Sequence, residues 1–183
     1  MYNYTLSLIA GLIAMVAVTS SYMFKKRSFY LLFQSITIVF LILSYLFIEQ
    51  YFSMIGLFIA LIRAFTFFMF EKKDKKAPVY LSIIFSVLTL ASYFIVNLAI
   101  LKDARPLDII NLVTLIMYAF FHRIRNYDLM RYLMTMPLVL SVLYNLLIEA
   151  TPFVIISYSF ELITNTVMII INLKKKKEKI NER

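Results

Sequence analysis

The chain has 183 residues, of which 62% are hydrophobic and 16% charged, and its formal net charge is +9. A soluble domain is nearer half apolar and a quarter charged. The composition therefore argues against an ordinary soluble domain and predicts an all-α integral membrane protein. The basic residues lie in short runs between apolar stretches, which is typical of membrane orientation and not of nucleic-acid binding. No cysteine is present, so disulfide and thiolate chemistry are excluded.

Continuous apolar stretches of about 20 residues predict transmembrane helices. Seven such stretches follow one another, separated by short charged segments. The predicted helices cover residues 3–24, 28–48, 51–70, 79–101, 106–121, 127–148 and 151–173. Residues 1–173 then form a single transmembrane domain, and residues 174–183 form a basic tail. The fifth helix is short for a full span.

The basic residues are distributed unevenly between the two ends of the predicted bundle. The segments after helices 1, 3, 5 and 7 carry 16 Lys or Arg, counting Arg131 just inside helix 6. The loop after helix 4 carries 2, and the loops after helices 2 and 6 carry none. Cytoplasmic loops collect Lys and Arg. The asymmetry therefore predicts an outside N-terminus and a cytoplasmic tail, with anionic lipids as partners at the cytoplasmic face.

The two halves of the sequence follow the same order of apolar helices, basic loops and short acidic loops. The segment Leu46-Phe47-Ile48-Glu49 matches Leu146-Leu147-Ile148-Glu149 at an offset of 100 residues. One helix between two halves gives both the same orientation, as in parallel repeats. The sequence thus predicts a 3+1+3 arrangement: a first three-helix bundle in residues 1–76, a linker helix in 77–105 and a second bundle in 106–173.

Arg63 in helix 3 and Glu161 in helix 7 are the ionisable residues deepest in the apolar stretches. Charges at mid-depth are costly and normally face the bundle interior. We expect the two residues to interact between the halves. They could form a substrate or proton site, or an ion pair that only locks the helices, or Arg63 could snorkel to the headgroups.

Helices 5 and 7 each carry a polar stripe at steps of three or four residues, which places its members on one helical face. Polar groups facing lipid would lack partners, so these stripes should point inward. The candidate solute-binding residues are Arg63, Asn111, Tyr118, Tyr158, Glu161 and Asn165. Hydrogen bonding between helices explains such residues equally well without any function.

Enzyme chemistry and cofactors are not expected. His122 is the only histidine and lies at the predicted cytoplasmic edge, whereas a histidine-based metal site needs further ligands. With two glycines in the chain there is no glycine-rich phosphate loop. An intramembrane hydrolase remains as a third hypothesis behind the two given below.

Several features between residues 25 and 73 carry a family resemblance. A basic run ending at Arg27 precedes a Leu-rich helix with an early Gln34, Tyr45 lies near the next loop, and Ala60-Leu61-Ile62-Arg63 precedes a Lys-rich loop. This pattern resembles the bacterial YgjV-type inner-membrane proteins. That family usually has Asn after the Arg, where this chain has Ala64. Asn165 on helix 7 is a candidate counterpart of this region in the second half, at an offset of about 102 residues.

The YgjV-type proteins resemble, more remotely, the SWEET and PQ-loop transporters, although the Pro-Gln pair that names the latter is absent here. The resemblance implies a bacterial inner membrane and a transporter-like fold, without naming a substrate.

The sequence therefore favours a transporter or facilitator of an unidentified small polar solute, with two bundles rocking about a central site. The alternative is a non-transporting membrane protein, such as a sensor, scaffold or partner subunit, whose polar residues only hold helices together. The oligomeric state is left open, a homo-oligomer included.

Overall fold

The computed structural model describes residues 2–23, 27–100 and 106–181. Within these ranges the chain forms α-helices and no strand. The helices are α1 Tyr2–Met23, α2 Arg27–Phe47, α3 Tyr51–Lys72, α4 Val79–Phe94, α5 Asp108–Phe121, α6 Tyr127–Leu147 and α7 Pro152–Asn181, and a π-helical segment, Ile95–Ile100, continues α4.

Six of these helices are long and apolar enough to cross a membrane. The exception is α5, whose 14 residues span about 21 Å at 1.5 Å per residue, against about 30 Å of hydrocarbon. Large apolar side chains cover the outer surface, and Val16, Phe58, Ile83 and Ile163 are each about half exposed. Such a surface suits lipid, and the all-helical membrane class predicted from the sequence is confirmed.

The helix boundaries differ from the predicted ones mainly at α5 and α7. Helix α5 begins at Asp108, two residues after Pro106, and α7 continues to Asn181 through most of the segment predicted as a tail. Lys and Glu favour helix, and no Gly or Pro interrupts that segment. The predicted end of the fourth helix, the basic pairs at 25–26 and at 102 and 105, and residues 182–183 lie outside the described residues.

The helices pack in a ring around a common centre. Neighbours follow the order α1, α2, α3, α5, α6, α7, and α7 returns to α1, while α4 packs against α3 and α5. The seam between α1 and α7 is close: a Cβ atom added at Gly11 would lie 2.9 Å from the Phe153 Cβ atom. Gly11 therefore permits a close approach of the two backbones.

The two ends of the ring differ in charge. We call the basic end the one formed by the segments that follow α3 and α5, where Arg125 pairs with Asp74 and Arg123 Nε donates to the Ala77 carbonyl oxygen. The far end is formed by the two short loops that contain Glu49 and Glu149. These two names are used below for the two closures of the central cavity.

Candidate functional site

A polar cavity lies at the centre of the ring. Side chains of α2, α3, α5, α6 and α7 line it, and none of the lining residues described comes from α1 or α4. Its volume is about 40 Å³, which is room for about three water molecules, because one water needs about 10–15 Å³. The cavity thus lies between the first three helices and the last three, and in this conformation it admits nothing much larger than water.

Arg63 is held at this cavity by α5. Its side chain is almost fully buried, its Nη1 donates to the Leu115 carbonyl oxygen at 2.8 Å, and its guanidinium carbon lies 5.9 Å from the centroid of the Tyr118 ring. Its Nε has no hydrogen-bond partner among the described residues. The guanidinium therefore turns inward instead of snorkelling, and one N–H donor remains for a molecule in the cavity.

Glu161 reaches the same cavity from α7 and is also buried. Its Oε1 accepts a hydrogen bond of 2.5 Å from Gln34 Nε2, which joins α7 to α2. The expected contact between Glu161 and Arg63 does not take the form of an ion pair, and Arg63 pairs with no described carboxylate. The physical reason is that Arg63 is already held by a backbone oxygen and by the Tyr118 ring.

A hydrogen-bonded chain closes the cavity at the far end. Tyr144 Oη donates to Asp108 Oδ1 at 2.9 Å and lies 2.8 Å from Ser53 Oγ, and Asn111 Nδ2 donates to Ser53 Oγ at 3.3 Å. All four side chains are buried or half-buried. Because Ser53 belongs to α3 and the others to α5 and α6, this chain joins the two halves.

The middle of the cavity is lined by hydroxyl and amide groups from both halves. The Tyr45 hydroxyl of α2 donates to Asn145 Oδ1 of α6, and the Tyr158 side chain of α7 lines the cavity beside them. Asn145 Nδ2 in turn donates to the Ser141 carbonyl oxygen at 2.7 Å. Tyr158 therefore lies where the sequence predicts it, within a network that can offer both donors and acceptors.

Arg27 closes the cavity at the basic end. Its guanidinium pairs with Glu71 of α3 and donates to the backbone carbonyl oxygen of His122, at the end of α5. The Arg27 side chain is 7% exposed and that of Glu71 is 20% exposed, so this pair is shielded from solvent. By contrast, the second ion pair at this end, Arg125 with Asp74, is largely exposed.

His122 is the lining residue whose importance the sequence did not reveal. Its side chain is 3% exposed, and neither ring nitrogen has a hydrogen-bond partner among the described residues. The ring stacks on Tyr118, with centroids 5.5 Å apart and planes 19° apart. A signal was present, because His122 follows Tyr118 by four residues on the polar stripe of helix 5.

Asn165 lies away from the cavity. Its Nδ2 donates to the Arg131 carbonyl oxygen at 2.9 Å and to Thr135 Oγ1 at 3.2 Å, so it ties α7 to α6. The other five candidates, Arg63, Asn111, Tyr118, Tyr158 and Glu161, all line the cavity. The described residues contain no group of three or more His, Asp or Glu that could hold a metal ion.

Together, the apolar outer surface and the polar, closed interior define an integral membrane protein built around a buried polar site. A family model described as Imp-YgjV, bacterial inner membrane protein, matches residues 5–176. The chain therefore belongs to this family of bacterial inner membrane proteins, which confirms the resemblance seen in the sequence and the inner-membrane location. No curated protein matches the chain, and no solved structure matches it either.

Proposed function

We propose that this protein transports a small polar solute by movement of α1–α3 relative to α5–α7 around the central cavity. The position of the cavity carries the proposal, because its lining comes from both halves and the contacts that close it join the halves. Ser53 contacts Tyr144 at the far end, and Arg27 contacts the His122 carbonyl oxygen at the basic end. Separation at one end would admit solute from that side while the other end stays closed.

The equivalence of the two halves is supported by the register of their buried residues. Every buried residue of α6 lies 100 positions after a buried residue of α2, for example Asn145 after Tyr45. The buried residues described within α7 follow buried residues of α3 by 101, one fewer than the offset the sequence suggested. A shared register of this kind is what a parallel repeat produces.

The turns at the far end add to this support. Glu49 and Glu149, which lie 100 residues apart, both have positive φ, at 59° and 53°. The next amide bonds back in the same way in each half: Gln50 N–H to the Tyr45 carbonyl oxygen at 3.1 Å, and Ala150 N–H to the Asn145 carbonyl oxygen at 3.0 Å. Positive φ is uncommon outside glycine, so its recurrence at matching positions favours duplication.

The lining groups favour a small solute that carries both donors and acceptors. Arg63 presents a free N–H and Glu161 a carboxylate, so a zwitterion fits their opposite charges. Asn111, Tyr118 and Tyr158 add neutral polar groups. A cavity of about 40 Å³ must expand to take such a solute, which is consistent with an occluded state between inward-open and outward-open ones.

The chain contains no cysteine, so accessibility of a single introduced cysteine can test the proposal. Ser141→Cys places a thiol at the cavity. Ser157→Cys is the matched control, because Ser157 is equally buried on α7 but contacts the Gly11 carbonyl oxygen of α1 at 3.2 Å. Each variant is treated with a membrane-impermeant maleimide in right-side-out and in inverted vesicles.

Alternating access predicts that Ser141→Cys reacts from both sides of the membrane and Ser157→Cys from neither. Reaction of Ser141→Cys from one side only would contradict transport and indicate a one-sided binding site. If the maleimide labels Ser141→Cys from neither side, the cavity is a closed structural core and the transport proposal is wrong.

A second candidate function, a non-transporting sensor or scaffold, is favoured by one observation. The cavity is small, and amides such as Asn145 and Asn165 are engaged in contacts between or within helices. Such a protein would keep its core dry, and the cysteine at position 141 would then be unreactive from either side.

A further inference from the structure

His122 combines deep burial with an unused capacity to bind a proton. A neutral imidazole has one donor nitrogen and one acceptor nitrogen, and in His122 both lack a hydrogen-bond partner among the described residues. Buried polar groups are normally satisfied. A ring held with both nitrogens free beside a polar cavity therefore has room to exchange protons with water there.

The position of His122 links the cavity to the basic end. Its ring lines the cavity together with Glu161, and its backbone carbonyl oxygen accepts the hydrogen bond from Arg27. Opening of the Arg27 contact would release the end of α5 and bring the imidazole toward solvent. His122 therefore lines the cavity and also takes part, through its carbonyl oxygen, in the contact that closes the cavity at the basic end.

The charges around the ring favour the neutral imidazole while the closure is intact. Burial of the ring lowers the pKa of His122 most, and the positive charges of Arg63 and then Arg27 lower this pKa further, because like charges disfavour one another. The titratable and charged groups around it come from five helices. They are Arg27 and Tyr30 on α2, Arg63 and Glu71 on α3, Tyr118 on α5, Tyr127 on α6 and Glu161 on α7, which lines the same cavity.

We propose that His122 is a proton-binding residue that exchanges protons between Glu161 and the basic end, so that movement of solute is coupled to movement of protons. In this step the O–H bond of protonated Glu161 breaks, the proton passes through cavity water, and an N–H bond forms on the imidazole. The imidazolium then releases a proton to water at the basic end and becomes neutral again, and the Glu161 carboxylate left by the first transfer takes up a new proton from water that enters the cavity at the far end. This inference rests on the proposed transport function and names its coupling ion.

Because His122 is the sole histidine, its protonation can be measured directly. The protein is labelled with ¹⁵N in histidine only, purified without a histidine tag and placed in lipid nanodiscs. The two ring nitrogen signals are then followed between about pH 4 and 9, the range in which histidine normally titrates.

Arg27→Gln removes a cation and loosens the closure, so the titration midpoint should rise by about one pH unit or more. Arg125→Gln is the matched control, since it removes an arginine from the exposed ion pair at the same end and should leave the midpoint unchanged. Glu161→Gln, added to Arg27→Gln, removes a nearby negative charge and should lower the midpoint again. If Arg27→Gln does not assemble, Glu161→Gln alone supplies the comparison.

An imidazole that stays neutral in every variant, or a midpoint that ignores Glu161→Gln, would overturn the inference. The titration requires no solute, so its result is separate from the cysteine labelling. Labelling from one side only would refute alternating access and still leave the linkage between His122 and Glu161 measurable.

Discussion

Removal of one hydroxyl group at the far end should bias the protein toward opening on that side. Tyr144→Phe deletes the oxygen that contacts Ser53 Oγ at 2.8 Å and Asp108 Oδ1 at 2.9 Å. Only the first contact joins the two halves, because Tyr144 and Asp108 both belong to the second half. The hydrogen bond to Asp108 is lost equally from the closed and open states, so it does not shift the balance between them.

The shift therefore comes from the single contact with Ser53, and a neutral hydrogen bond contributes about 1 kcal/mol. That free energy corresponds to about a fivefold increase in the ratio of open to closed protein. A second contact at this end that joins the halves, from Asn111 to Ser53 at 3.3 Å, is long and gives little compensation.

The assay is the rate at which the impermeant maleimide labels the cysteine of Ser141→Cys from the far side. Tyr144→Phe should raise this rate about fivefold and should not raise labelling from the basic side. Tyr132→Phe is the matched control, because Tyr132 is on the same helix but is 66% exposed on the outer surface. An unchanged rate in Tyr144→Phe, or an equal rise in Tyr132→Phe, would refute the assignment of Ser53 and Tyr144 as the far-end closure.

Three further outcomes are expected. A reporter fused to the C-terminus should be active only as a cytoplasmic reporter, because the basic residues cluster at that end; activity of a periplasm-only reporter would reverse the orientation. Gly11→Ala should lower the free energy of unfolding by about 1–2 kcal/mol in a denaturant titration, because the new methyl group would lie 2.9 Å from the Phe153 Cβ atom. Gly56→Ala should leave the free energy of unfolding nearly unchanged, because its methyl group would meet only the flexible end of the Leu115 side chain. Arg63→Met should leave the free energy of unfolding unchanged or raise it by about 1 kcal/mol, and it should abolish solute uptake, because it removes a buried cation that has no carboxylate partner. A decrease of more than about 2 kcal/mol in the free energy of unfolding would show that Arg63 is paired more strongly than its contacts indicate.

Helical periodicity placed four of the candidate residues on helical faces that line the cavity. Steps of three or four residues place Asn111 and Tyr118 on one face of α5, and Tyr158 and Glu161 on one face of α7. Each of these faces turns inward, because polar groups cannot be left in lipid.

Periodicity could not distinguish lining residues from residues between two helices. Asn165 lies on the same stripe as Glu161, one turn farther along α7, yet its amide contacts the backbone of α6 at Arg131. The stripe is wide enough to reach both the cavity and a neighbouring helix, and only the packing decides which of the two a given side chain meets.

The burial of His122 was not predicted, for a related reason. The basic residues that follow it, Arg123 and Arg125, placed it at the membrane edge, where a side chain is usually solvated. In the structure Arg123 is held by the Ala77 carbonyl oxygen and Arg125 by Asp74. Those contacts fold the segment over the basic end, and His122 is left buried beneath it.

The direct pairing of Arg63 with Glu161 also could not be settled from depth alone. Two opposite charges in one apolar bundle are expected to meet, but the sequence did not show that a backbone oxygen and an aromatic ring lay closer to the guanidinium. Leu115 supplies that oxygen and Tyr118 that ring. Arg63 and Glu161 both line the cavity, with no ion pair between them.

In the repeat that we propose, the two halves differ most at α1 and its counterpart α5. At an offset of 101 residues the buried positions of α1 meet larger or more polar residues of α5, in the pairs Ser7 and Asp108, Ala10 and Asn111, Ala17 and Tyr118, and Ser21 and His122. Small residues let α1 pack closely against α7 at Gly11, whereas Asn111, Tyr118 and His122 line the cavity. In the proposed repeat, the same helix position therefore packs closely in the first half and lines the cavity in the second.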